Sequence, residues 1–166
     1  MCPDQPVDRS TVNRQSWWEG VFTHAGWGIV IGSREGLLLT RVNRAFADMH
    51  GYTEDELNGQ SAMLVFAPEV QADLPRQIAR IHEQGRHVFE SMHRRKDGSF
   101  FPVLIDASVV RNEHGEVDFR VVNVQDISER KQVERTLLQT QQQLRALSAH
   151  HESVLEHERK RIAREV

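Results

Sequence analysis

Apolar residues recur along this chain in three rhythms, and each rhythm predicts a different kind of element. Two short β-rich runs, Trp27–Gly32 and Leu37–Val42, flank the turn-forming Ser33-Arg34-Glu35-Gly36 and predict a hairpin. Asn43 then sits where it can cap a short helix with Phe46 and Met49 on one face, and Gly51 suits a left-handed stop. Thr53-Glu54-Asp55-Glu56 spells a capping box for one more turn, ending near Gly59. Pro68 fits the first turn of a longer helix in which Leu74, Ile78 and Ile81 make one apolar stripe. Pro75 falls inside that helix and removes a backbone donor, so a kink or a broken first half is expected.

Past Gly85 the period changes to two. Stretches 86–95, 99–111 and 116–126, joined by Lys96-Asp97-Gly98 and Asn112-Glu113-His114-Gly115, predict an antiparallel meander. Phe101, Val103, Ile105, Ala107 and Val109 share one parity, as on a strand face packed against a core. The order of elements predicts an α+β fold, a five-stranded antiparallel sheet with helices on one face.

The third rhythm runs from Ser128 to Val166. This stretch lacks Gly and Pro and is rich in Gln, Glu, Arg and Leu, which predicts an extended helix. At 1.5 Å per residue it would be roughly 55 Å long. Leu137, Leu144, Leu147 and Val154 fit a heptad seam with Thr140 and His151 as weaker members, while Leu155, Ile162 and Val166 fit a seam displaced by one residue. The two meet near 151–155 as a four-residue stutter. A lone helix cannot bury such a seam, so a coiled-coil homodimer is expected.

Composition narrows the function. With 166 residues and 39% hydrophobic content the chain can hold one ordinary core plus an appendage. The expected division is a flexible polar leader at 1–15, a domain at 16–128 and a helix at 129–166. A net charge of -3 supplies no basic field, which argues against nucleic acid as a partner. Cys2 is the only cysteine and lies in the leader, so no disulfide, cysteine-based zinc site or buried thiol nucleophile can form, and a reducing, cytoplasmic setting fits. No apolar run approaches the roughly 18 residues of a membrane span, and Met1–Ser10 lacks a signal-peptide core. A longer parent anchored in a membrane stays compatible with this. The nine histidines form no metal site by spacing: His151 and His157 do not share a helical face, and His24, His50, His82, His87, His93 and His114 read as surface or satisfied core residues.

Four motifs in order carry a family resemblance: Asn43-Arg44-Ala45-Phe46, Gly51 to Gly59, Arg95-Lys96-Asp97-Gly98, and Asp126-Ile127-Ser128. Over about 16–128 they resemble PAS domains, the small αβ input modules of signalling proteins. Glu158-Arg159-Lys160-Arg161-Ile162-Ala163-Arg164-Glu165-Val166 closely resembles the segment leading into the phosphoacceptor histidine of nitrate-sensor-type histidine kinases. The resemblance implies a PAS sensory domain, a signalling helix, and a two-component parent whose dimerisation and phosphoacceptor domain lies beyond Val166 and acts on a cognate response regulator. It also implies signal transfer through Asp126, Ile127 and Ser128, although Asp126 equally suits a helix cap. His151-Glu152 is rejected as phosphoacceptor because Ser153-Val154-Leu155 follows it in place of Arg-Thr-Pro.

For a small-molecule ligand, helix stripe and strand parity nominate Met63, Phe66, Leu74, Ile78, Ile81, Phe89, Ser91, His93, Val103, Ile105, Val122 and Val124, with Ser91 and His93 as the only polar groups facing inward. A plain filled core would use the same residues, and the choice stays open. The cofactor is unknown, and two familiar types are disfavoured. Leu74 stands where haem-binding PAS domains place a proximal His, and Phe89 where some place a distal Arg. The segment Gln60-Ser61-Ala62-Met63-Leu64-Val65-Phe66 lacks the reactive Cys of flavin-binding LOV domains. No Gly-rich phosphate loop or Asn/Asp metal constellation is present, so no catalytic residue is assigned and neither ATP binding nor autophosphorylation is expected. Two alternatives accompany this reading: a constitutive dimerisation module without a ligand, and a haem or flavin redox sensor with unfamiliar contacts.

Overall fold

The structure is a computed structural model and describes residues 9–34 and 36–165. It contains two units, one ending at Ile127 and one beginning at Ser128. The first opens with helix α1, Arg9–His24, so the expected leader boundary at residue 15 falls within a helix, and residues 1–8 lie outside the described ones. Phe22 of α1 is buried, whereas Trp17, Trp18 and Val21 are exposed.

Strands β1 (Gly28–Gly32) and β2 (Leu39–Val42) pair antiparallel and start slightly later than the apolar runs that announce them. Helix α2 (Arg44–His50) ends on Gly51 at φ 75°, the left-handed conformation that costs glycine nothing. Helix α3 (Glu54–Leu57) carries the complete capping box, with Thr53 and Glu56 each bonding the other's backbone. After a 3-10 turn at Ala62–Leu64 come α4 (Pro68–Gln71) and α5 (Leu74–Gln84). The expected long helix is thus broken in two. Pro75, in the first turn of α5, gives up an amide that needs no partner there.

Strands β3 (Arg86–Arg94), β4 (Phe100–Arg111) and β5 (Val117–Asp126) form the meander, and β5 pairs with β1 to close the order β2-β1-β5-β4-β3. All pairings are antiparallel. Phe101, Val103, Ile105 and Ala107 are buried against the helices, as their parity predicts. The outer edge of β3 is covered at its C-terminal end, where Ala67 N–H donates to Met92 O and Arg94 N–H to Val65 O. Gly28 lets β1 run close beneath α2: a Cβ there would meet Phe46 Cδ2 at 2.9 Å. The second unit is helix α6, Ser128–Glu165. Leu137, Leu144, Leu147, Val154, Leu155 and Ile162 are all exposed on it. No described helix is long and apolar enough to cross a membrane.

Candidate functional site: a cavity with buried histidines and a buried arginine

Between α5 and the inner sheet face lies a cavity of about 80 Å³. Nine of the residues nominated for a pocket line it: Phe66, Leu74, Ile78, Ile81, Phe89, His93, Ile105, Val122 and Val124. Met63, Ser91 and Val103 do not. Val103 is fully buried in the core beneath, and Met63 packs against the core without reaching the cavity wall. Val30, Leu37, Leu38, Leu39, Phe46, Ala62, Val65 and Ala107 add to the apolar wall.

The polar lining differs from expectation. Ser91 is absent from it, while Gln77 and Arg120 join His93. Arg120 is on the parity of Val122 and Val124, so the sheet turns it inward with them, and only 5% of it is exposed. Gln77 is engaged at both ends of its amide, donating to Asp73 Oδ2 and accepting from His87 Nε2 at 2.9 Å.

His93 belongs to a buried pair formed only by tertiary structure. His50 Nδ1 lies 2.7 Å from Phe46 O, and His50 Nε2 lies 2.9 Å from His93 Nδ1. A carbonyl only accepts, so His50 carries its proton on Nδ1 and its Nε2 accepts from His93 Nδ1–H. His93 Nε2 is left as a bare lone pair with no partner among the described residues. Both rings are neutral because burial disfavours charge. It pulls His50 down to about 4 despite the opposing bond to Phe46 O, and His93 well below the usual histidine range. Phe46, Phe66 and Phe101 surround the pair at centroid separations of 4.3 to 6.1 Å.

From this cluster a second set of contacts leads to the end of β5. The Arg95 guanidinium sits 3.7 Å over the Phe101 ring, donates to Met49 O, and pairs with Asp126 at 2.9 Å. Ile127 N–H donates to Pro102 O at 3.0 Å. Asp126 is therefore held by the β3–β4 hairpin. Among the described residues no group of three or more His, Cys, Asp or Glu is placed to hold a metal ion. Leu74 and Phe89, the two positions compared with the haem contacts of other PAS domains, are both apolar cavity wall. Protein purified without added cofactor is thus expected to show no stoichiometric Soret or flavin band in its absorption spectrum. If a Soret band appeared, His82 would be the first ligand to replace.

The PAS domain family profile matches residues 28–129. The chain belongs to the PAS domain family. It is 29% identical over 129 residues to the sensor histidine kinase TmoS of Ectopseudomonas mendocina, an alignment covering 76% of this chain and 13% of that much longer protein. A PAS domain from Colwellia psychrerythraea superimposes with a TM-score of 0.65 at 17% identity, covering 69% of this chain and 98% of that one. A PAS domain from a two-component sensor histidine kinase does so at 0.57 and 16% identity, covering 68% and 95%. These structural likenesses bear on the PAS fold.

Proposed function

We propose that this chain is the sensory input and dimerisation module of a sensor histidine kinase, relaying a change in the PAS cavity through α6 to a kinase beyond it. The observation that carries the proposal is the line of contacts from His93 on the cavity wall through Phe101 and Arg95 to Asp126, two residues before α6 begins. A ligand or partner that shifts His93 or Phe101 disturbs the Arg95–Asp126 pair and with it the geometry at the helix entrance. The exposed leucine seam of α6 supports a parallel homodimer as the receiving element, one that changes register or rotation. The similarity to TmoS supports a histidine kinase parent and a cognate response regulator.

The test uses a protein extended through the following histidine and a kinase domain. The extended protein is expected to label from ATP on that histidine, and Arg95→Ala is expected to fix its output in one state. The 166-residue chain is expected to remain unlabelled and to dimerise at micromolar concentration, while truncation after Ser128 weakens association at least about tenfold. A monomeric full chain, an undiminished dimer after truncation, or regulation indifferent to Arg95 would each defeat the relay. The ligand-free alternative draws support from the small cavity volume, and it predicts an output that no small molecule changes.

A further inference from the structure

Arg120 is a buried cation with no anion beside it among the described residues. Its Nη2 donates to Gly36 O, its Nη1 has no partner, and no carboxylate pairs with it among the described residues. A second orphaned atom, His82 Nε2, belongs to the same corner. Arg120 and Arg111 both press His82 toward its neutral form, after burial, and Arg111 donates to His82 O at 3.3 Å. Two of the three unpartnered buried side-chain polar atoms among the described residues thus accompany an excess of positive charge. An isolated buried cation is costly, and such groups are found paired or bound to an anion.

We propose that the cavity binds a short-chain monocarboxylate, with its carboxylate on the Arg120 guanidinium and its alkyl end against Ile81, Ala107 and Val122. This rests on the sensory reading above and names the ligand class for that same cavity. Charge sets the class: one guanidinium compensates one negative charge, and a dianion such as phosphate would bring an uncompensated second charge into an apolar space. Volume sets the length. An apolar cavity of about 150 Å³ takes benzene, so roughly half that volume holds about three to five non-hydrogen atoms, the size of acetate or propionate. The buried guanidinium, whose burial already pulls it below its ordinary value, regains in the complex the charge partner that the folded chain withholds.

Sodium propionate tests this directly on the 166-residue chain, with sodium chloride and propionamide as matched controls, read by thermal unfolding and by calorimetric titration. Propionate is expected to raise Tm and to titrate to one site per chain, with neither control doing so. Arg120→Met, which keeps the apolar stem, is expected to weaken propionate at least tenfold while leaving the unliganded protein as stable or more stable, because it removes an uncompensated buried charge. Arg120→Lys should retain part of the affinity. Absence of any propionate effect beyond chloride, or binding that survives Arg120→Met, overturns the proposal. Propionate that binds through Arg120 but leaves the extended kinase unregulated sustains this site and defeats the sensory reading instead.

Discussion

Asn43→Ala is expected to lower the free energy of unfolding by about 3–5 kcal/mol, far more than loss of a helix cap, which costs about 1 kcal/mol. Asn43 is fully buried and all its side-chain hydrogen-bonding positions visible in the structure are used across three segments. Its Oδ1 accepts from Phe46 N at 3.0 Å, the capping bond, and from Ile29 N at 2.8 Å in β1. Its Nδ2 donates to Phe22 O at 2.9 Å in α1 and to Trp27 O at 3.0 Å. Truncation orphans four backbone groups at once, each worth about 1–3 kcal/mol when buried, with partial relief from entering water. Asn43→Asp separates the contributions. It restores the cap yet presents an acceptor to two carbonyls, so it should remain nearly as destabilised at neutral pH. Urea denaturation at constant slope measures both. A loss of 1 kcal/mol or less for the alanine variant would mean that the three long-range bonds contribute nothing.

The second large effect is a loss of stability in mild acid. His50 and His93 are buried neutral, with folded values depressed from 6.5 to about 4 for His50 and well below 6.5 for His93. The unfolded chain therefore binds more protons than the folded one below pH 6.5. Stability from the pair is complete above 6.5 and drains as pH falls toward 4, at about 1.4 kcal/mol per pH unit per proton. His50 alone accounts for about 3 kcal/mol over that window, and His93 acts in the same direction. Protonation also breaks the pair itself, since a proton on His50 Nε2 would face the one on His93 Nδ1. Denaturation midpoints from pH 7.5 to 4 should thus fall in the native protein and flatten in His50→Phe/His93→Phe. His82, also depressed, and carboxylates such as Asp106, held by Arg86 and losing their contribution below about pH 5, act alike in both proteins and leave a shared residual slope. Equal slopes in the two proteins would rule the pair out as the cause.

Much of this site lay open in the sequence wherever its signal was local. Thr53 and Glu56 declare a capping box within four residues, and the even spacing of Phe101 to Ala107 declares a strand face. Nine of the twelve nominated residues do line the cavity, because strand parity and the helical stripe each select a face without knowledge of the partner. Val103 and Met63 share those faces but lie at depths that periodicity does not encode. Arg120 carried a usable signal, since it shares parity with Val122 and Val124. A charged residue is ordinarily assigned to solvent, and that habit outweighs parity here.

The sequence by itself determined the five strands and the helices after Asn43, their order, the α+β class, the break ahead of Pro75 and the long helix with its leucine seam, because each follows from contacts a few residues apart; helix α1 was not among them. Only the tertiary structure decided that His50 meets His93, that Asn43 ties α1 to β1, that Arg95 holds Asp126, and that Arg120 lines the cavity with no carboxylate partner among the described residues. These depend on residues 14 to 84 positions apart in the chain. Such partners are brought together by how the sheet orders its strands and how far each side chain reaches, and a one-dimensional period specifies a face but neither its neighbour nor the distance to it.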